Sequence, residues 1–301
     1  MLSRELLREI RKIEIKTRHL VDSAYMGNYR SVFKGRGIEF AGIREYYRGD
    51  EFRSIDWKVT ARTGNLHVRE HIEERELQMV IALDMSGSMS FGSHSREKRE
   101  TAVEFAAAMA MSASLNNDRF GACLFTDTVE KYVAPAKGRT HFLRLVRELL
   151  YRVPQGRGSD IRPALHLFNQ SLKHRSIFFL VTDGIDLPPV ERELAVTAAR
   201  HDLILVLVRD RREREIPDVG LVEIEDPETG EEGILDTSNV RQVARLLEAA
   251  EAQERRLLDM CRRIGIDHID ITAGGSVIKP IVRFFSSRST STGRTRIPSI
   301  A

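Results

Sequence analysis

Residues Glu76–Phe91, ELQMVIALDMSGSMSF, join an apolar run to a polar turn. Met79 to Leu83 shows no polar alternation and is far too short to span a membrane, which fits a central parallel strand buried on both faces. The run stops at Asp84-Met85-Ser86-Gly87-Ser88, so the strand delivers a carboxylate and hydroxyls into a tight turn. Past the turn, Glu97 to Leu115 predicts a helix, with Val103, Phe105, Ala106, Met109, Ala110 and Ala113 on its apolar face. The unit is strand, loop, helix, with the loop at the carboxyl end of the strand.

The alternation continues downstream. Arg119 to Phe125 is an apolar strand, and Val129 to Val133 is expected to fold back on it as a hairpin arm across Thr126-Asp127. His141 to Val153 is amphipathic, with Phe142, Leu145, Val146 and Leu149 at helical spacing. In the glycine-rich loop Pro154–Asp160, PQGRGSD, Ser159 or Asp160 can cap a helix that begins near Ile161 with Pro163 in its first turn. Ser176 to Val181, SIFFLV, is another buried strand, and it too ends in a polar turn, Thr182-Asp183-Gly184. A helix from Pro189 to His201, a strand from Leu203 to Val208 and a long helix from Val240 to Ile264 follow, then an edge strand from Asp267 to Ile271 and a closing helix from Val277 to Phe285. Between them Arg209 to Thr237, charged and interrupted by Pro217 and Pro227, predicts a short hairpin or an irregular insertion. This order predicts an α/β fold with a doubly wound, mostly parallel sheet and helices on both faces.

Composition fits a soluble globular chain: 301 residues, 42% hydrophobic and 30% charged, enough for one large domain or two smaller ones. A formal charge of +3 over 47 basic and 44 acidic residues announces neither a nucleic-acid nor a membrane partner. Cys123 and Cys261 form no CxxC pair and no disulfide framework, which fits small core residues in a reducing compartment. No run reaches the ~18 to 20 apolar residues of a membrane span, and the charged N-terminus has no signal-peptide core, so a cytoplasmic location is expected.

Residues 1–31 are expected to form an amphipathic helix carrying Leu2, Leu6, Ile10, Ile13 and Leu20, docked on its own protein rather than on a membrane because its charges are mixed. In residues 32–76, Gly35, Gly37, Gly42, Gly49 and Gly64 punctuate what reads as loops and short strands. Here Arg44, Arg48, Arg53, Lys58, Arg62 and Arg69 interleave with Tyr46, Tyr47, Phe52 and Trp57, a pattern that can hold single-stranded nucleic acid. Glu45, Asp50, Glu51, Asp56 and Glu70 are woven through the same stretch, so internal ion pairs satisfy those cations and nucleic-acid binding is the weaker reading. The tripeptide Arg48-Gly49-Asp50 is too short to carry an adhesion function. Residues 289–301 read as a basic, disordered tail; across the wider C-terminal stretch Arg283, Arg288, Arg294 and Arg296 meet no acid in the sequence.

Ligands of doubly wound sheets bind beyond the carboxyl ends of the strands, where neighbouring connections part to opposite faces. Loops at that end carry Asp84, Ser86 and Ser88, then Ser159, then Asp183, and are expected to converge. Few carboxylates with several neutral hydroxyls suit Mg2+, or Mn2+ in its place, and no His or Cys lies in these loops for a softer metal. Neutral ligands leave the ion's charge partly unmet, so a carboxylate from a partner protein can fill an open position. Partner contacts are then expected at Met85, Gly87 and Asp160.

Other chemistries fit less well. Neither a Walker A nor a GxGxxG sequence follows the strand, and Asp84 would repel a pyrophosphate. A haloacid-type phosphohydrolase also sets an Asp nucleophile at a strand end beside Mg2+, but no pocket lysine and no second DxD acid stand out after Asp84. Ser86 and Ser88 lie in no G-x-S-x-G elbow. His67 and His71, spaced for one helix face, could ligate zinc, yet no HExxH pattern accompanies them. A capping turn explains Asp84 and Ser86 alone, not Ser159 and Asp183 in register with them. A metal-dependent binding module is therefore expected, with a Mg2+-dependent hydrolase as the enzymatic alternative.

Asp84-x-Ser86-x-Ser88, a later hydroxyl in a glycine-rich loop before a helix, and Asp183 after a buried strand resemble the metal-ion-dependent adhesion site of von Willebrand factor A domains. Upstream, EFAGIREYYRGDEFRSIDWKVTARTGNLHVREHIEE is similar to the signature of the bacterial domain-of-unknown-function family 58, and the resemblance runs from about Val32 to Arg288. It implies a von Willebrand factor A-like domain over residues 77–288 that binds Mg2+ through Asp84, Ser86 and Ser88, with Ser159 and Asp183 completing the shell directly or through water. Ser159 stands where the family usually has threonine, so the hydroxyl is kept and the methyl that stiffens its rotamer is lost. Many members carry membrane helices ahead of the signature block, where a charged helix is expected here. Members also commonly accompany MoxR-type AAA+ ATPases, which implies an adaptor or scaffold whose metal grips an acidic residue on such an ATPase or on its client.

Overall fold

The structure, a computed structural model, describes residues 39–47, 49–72, 77–93, 96–185 and 189–291. The helix expected over residues 1–31 and the chain from residue 292 onward lie outside the described residues. Glu39–Glu45 (β1) pairs antiparallel with His67–Ile72 (β2). Between them lies a helix that the sequence expectation lacks, Trp57–Thr63 (α1). It is too short to show a period, but its caps are legible: Asp56 accepts hydrogen bonds from the Lys58 and Val59 N–H groups (3.0 and 3.2 Å), and Gly64 ends it at φ 82°.

The rest of the chain builds the expected α/β domain. In chain order it runs Gln78–Asp84 (β3), Lys98–Leu115 (α2), Arg119–Phe125 (β4), Val129–Ala136 (β5), Arg139–Tyr151 (α3), Arg162–Ser171 (α4), Ile177–Thr182 (β6), Glu191–Arg200 (α5) and Asp202–Arg209 (β7). Leu221–Glu225 (β8) and Glu232–Asp236 (β9) form a separate antiparallel hairpin, and Val240–Ile264 (α6), Asp267–Thr272 (β10) and Ile278–Ser291 (α7) close the chain. The six-stranded sheet has the order β10-β7-β6-β3-β4-β5, parallel throughout except for the β4–β5 pair. The chain leaves β3 for β4 and β5 on one side, then returns through α3 and α4 to β6 on the other. β3 is thus the switch strand, and its carboxyl end is the natural place for a site.

Period-two alternation explains why β3 is apolar throughout. Met79, Ile81 and Leu83 pack with α2, α3 and α7, while Val80 and Ala82 pack with α4, α5 and α6 on the opposite face. Edge-to-face aromatic pairs tie both layers to β6: Phe105 of α2 on Phe179 (5.5 Å) and Phe168 of α4 on Phe178 (4.8 Å). Each such side chain contributes roughly 1.5 to 3 kcal/mol by leaving water. α2 departs from the single apolar face expected of it. It is buried on nearly all sides, because it lies between the sheet and α3, and its alanines Ala102, Ala106, Ala107 and Ala110 permit close approach.

The C-terminal stretch also departs from expectation. α7 continues to Ser291, and Arg288 does meet acids: its guanidinium bonds Asp202 (2.8 and 2.9 Å) and Asp267 (2.7 Å) at the starts of β7 and β10. Pairing across the fold hid these partners from a local reading. Among the described residues no helix is long and apolar enough to cross a membrane.

Both cysteines are buried in the core, and burial pushes their thiols up, Cys123 to about 12 and Cys261 to about 11. Ellman's reagent near neutral pH is therefore expected to leave the folded protein unmodified and to react with both thiols once denaturant is added. Rapid labelling of the native chain would contradict the packing of β4 and α6.

Candidate metal centre

Strand pairing sets the first ligand in place. Asp84 stands opposite Phe125 of β4, and Leu83 opposite Val181 of β6, so the end of β3 lies between two strand ends. The Asp84 side chain is 0% exposed. Its Oδ1 accepts the Ser86 N–H (2.9 Å), and its Oδ2 accepts the hydroxyls of Ser159 (2.9 Å) and Thr182 (2.8 Å). Burial, reinforced by the charge of Asp183, pushes the Asp84 carboxyl above its usual range, although hydrogen bonds from Ser86 and Thr182 pull it back. Because Ser159 donates its proton to Asp84, its oxygen lone pairs remain available to a cation.

The Ser86 and Ser88 hydroxyl oxygens lie 3.1 Å apart. Neighbouring corners of a Mg2+ octahedron, each about 2.1 Å from the ion, stand about 3.0 Å apart. The two serines therefore need little adjustment to bind one ion. Thr182, which the sequence reading did not single out, anchors the Asp84 carboxylate from β6.

Ser159 arrives on a loop held from beneath. Glu130 Oε1 accepts the N–H groups of Gln155 (2.8 Å) and Gly156 (2.9 Å) and the Thr126 hydroxyl (3.1 Å). The Asp160 N–H donates to the Thr126 carbonyl (3.0 Å), and the Gly87 N–H to the Arg157 carbonyl (2.8 Å). A Cβ on Gly156 would fall 2.3 Å from Asp127 Oδ1 and 2.5 Å from Thr126 Oγ1, so only glycine lets the loop lie this close. The glycines in PQGRGSD signalled the loop, but nothing local signalled Glu130 as its anchor.

Asp183 does not face the site alone. Lys98, the first residue of α2 and 1% exposed, places Nζ 2.7 Å from Asp183 Oδ2 and also bonds Glu213 in the turn after β7. Burial works against the Lys98 charge, but Asp183 and Glu213 outweigh it and raise its pKa. The sequence expectation of no pocket lysine is corrected here, since α2 starts over the end of β3 and points Lys98 inward. Asp183 Oδ1 accepts the Ile185 N–H (3.1 Å).

The tip of the β8–β9 hairpin covers the same loops. Pro227 lies on Gly87, where an added Cβ would fall 2.1 Å from the Pro227 carbonyl oxygen. Glu228 meets the Ser88 hydroxyl and the Ser159 N–H. Burial pushes its carboxyl up, and the charges of Asp84 and Asp183 add to the effect. Lys98 thus answers Asp183 and Glu213, while Asp84 and Glu228 feel the charge of Asp183 from the adjoining loops. Hydroxyl oxygens at octahedral spacing beside the Asp84 and Glu228 carboxylates fit a divalent cation. Among the described residues no cluster of three or more His, Cys, Asp or Glu side chains forms a metal cage, so the fit rests on hydroxyls.

The expected partner contacts are corrected in part. Met85 is buried in the core at 1% exposed, so it offers no open surface, whereas Gly87 is half-buried beside Pro227. Asp160 is bonded by the Arg162 guanidinium (2.6 and 2.9 Å), and it accepts the Arg162 N–H at the start of α4. Burial opposes the charge of Asp160, but the hydrogen bonds from Arg162 prevail and lower its pKa.

His67 and His71 lie on the strand β2 rather than on a helix. At about 3.3 Å per residue they stand roughly 13 Å apart, too far to share one zinc. In the basic and aromatic segment, Asp50 holds Arg44 through paired hydrogen bonds (2.7 and 2.8 Å), and this contact brings the Asp50 carboxyl down to about 2. Arg48 and the side chains of Arg53 and Arg69 lie outside the described residues.

The family described as "Protein of unknown function DUF58" matches residues 42–256. An uncharacterized protein of Mycobacterium tuberculosis is 31% identical over 288 residues, covering 94% of this chain and 90% of that protein. The uncharacterized protein YeaD of Bacillus subtilis is 30% identical over 110 residues, 36% of this chain and 25% of its own length. Among solved structures, the conserved hypothetical protein BatB from Bacteroides thetaiotaomicron aligns over 71% of this chain and 100% of its own, with a TM-score of 0.45 at 14% identity. The VWA domain of SpRpn10 aligns over 70% and 95%, with a TM-score of 0.38 at 11% identity.

Lys98→Met is expected to leave Asp183 buried without its cation and to lower stability by roughly 3 to 5 kcal/mol in urea denaturation with chelator present. Adding Asp183→Asn should recover part of that loss. A cost of about 1 kcal/mol or less, the range of exposed pairs, would contradict the buried pairing.

Proposed function

The chain belongs to the family of proteins of unknown function DUF58, and from that premise we propose that it is a Mg2+-dependent protein-binding module rather than an enzyme. The observation that carries this reading is the donor set: Ser86, Ser88 and Ser159 hydroxyls gathered about the fully buried Asp84 carboxylate. Ser86, Ser88 and Ser159 would hold the ion. Asp84, whose oxygens already accept hydrogen bonds, would support those hydroxyls from behind or through water, and Asp183, already facing Lys98, would act through water. The ion, Mg2+ or Mn2+, supplies positive charge that neutral hydroxyls leave partly unmet and that a partner's carboxylate can satisfy.

A phosphohydrolase has less support, although Lys98 provides the lysine it would use. Both Asp84 oxygens are engaged by hydrogen bonds and sealed from solvent, whereas a phosphoryl acceptor must be open to attack. Nucleic-acid binding loses Arg44 to Asp50. The partner is then a protein offering an acidic residue, and the family resemblance favours a MoxR-type AAA+ ATPase or its client, with this chain as the adaptor.

Calorimetry is expected to show a Mg2+ site that Asp84→Ala abolishes, and capture of a MoxR-type ATPase should be lost both with EDTA and in Asp84→Ala. Full Mg2+ affinity in Asp84→Ala would overturn the site. Chelator-insensitive, salt-sensitive retention of single-stranded nucleic acid would instead favour a basic surface, and phosphatase turnover abolished by Asp84→Asn would favour the hydrolase.

A further inference from the structure

The hairpin insertion between β7 and α6 ends on the metal loops, and we propose that Glu228 at its tip is an internal ligand, filling the coordination position that a partner's carboxylate would take. The proposal rests on the metal-binding reading above and adds a residue of this chain to it. Glu228 Oε1 is the one carboxylate oxygen among the described residues that is buried without a hydrogen-bond partner. Such an oxygen costs stability unless something positive meets it. The hydroxyl of Ser88 and the N–H of Ser159, both on metal-bearing loops, lie against the same carboxylate. Its charged neighbours Asp84 and Asp183 repel it, while Lys98 is committed to Asp183 and Glu213. A cation between Glu228, Ser88 and Ser159 would satisfy the orphaned oxygen and relieve that repulsion together.

The tip is built to hold this pose. Asp226 Oδ1 accepts the N–H groups of Glu228 (2.8 Å) and Thr229 (3.2 Å), and the Asp226 carbonyl accepts the Gly230 N–H (2.7 Å). Gly230 takes φ 75°, which lets the turn close. The stem, by contrast, is lightly packed: Leu221 is 73% and Ile234 69% exposed, and Leu235 with Thr237 ties only its base. A two-stranded ribbon is marginal by itself, so its seating depends heavily on what the tip touches. Glu228 thus ties the hairpin to the ion, and an acidic partner must displace it to reach the metal.

The test uses Mn2+ titrations and Mg2+-dependent hydrogen exchange on the full chain, comparing wild type, Glu228→Gln and Asp84→Ala. Glu228→Gln should weaken Mn2+ binding by about tenfold, and Mg2+ should protect the amides of residues 221–236 in wild type but not in this variant. Asp84→Ala should lose Mn2+ altogether. Equal Mn2+ affinity and equal hairpin protection in wild type and Glu228→Gln would overturn the internal ligand while leaving the Asp84 site standing. Failure of the wild-type chain to bind Mn2+ would overturn both.

Discussion

A carboxylate sealed from water at the end of the switch strand is the constraint on which the candidate site depends. Asp84 enters the interior because β3 is apolar on both faces and lies between β4 and β6, so the residue that ends the strand has no route to solvent. Burying such a charge costs several kcal/mol unless donors meet it. The donors come from separate parts of the chain: the Ser86 amide from the next turn, the Ser159 hydroxyl from the α3–α4 connection and the Thr182 hydroxyl from β6. Each bond that satisfies Asp84 also fixes a loop, and Ser159 and Ser86 keep their lone pairs for a cation.

Charge pairing also organises what surrounds Asp84. Lys98 answers Asp183 and Glu213 from the start of α2. Glu228 then enters from above on the hairpin tip, with Pro227 seated on Gly87. The hairpin tip thus narrows access to these loops, with Met85 buried and Gly87 half-buried beside Pro227. Under the proposed function, partner recognition at this site would be tied to the hairpin.

Much of the fold was legible because its signals are local. Uniform apolar runs at Met79–Leu83 and SIFFLV, the helical spacing of Phe142, Leu145, Val146 and Leu149, and the polar turns after the strands lead directly to the doubly wound sheet. The first ligands were legible for the same reason, since Asp84, Ser86 and Ser88 lie within one turn. Lys98, Glu130, Thr182, Glu213 and Glu228 were not. Each reaches the site or its supporting loop from an element distant in sequence, and a lone charged residue in a polar stretch looks like solvated surface until the fold closes over it. Arg288 escaped likewise, because Asp202 and Asp267 meet it only when β7 and β10 lie side by side.

The central claim is that one divalent cation sits among the Ser86, Ser88 and Ser159 hydroxyls with the Glu228 carboxylate beside it. Anomalous diffraction from crystals of the full chain grown with Mn2+ tests it most directly. An anomalous peak is expected within coordination distance of those three hydroxyls and of a Glu228 oxygen. Mn2+ bound elsewhere, or no peak at the end of β3 under saturating Mn2+, would contradict it.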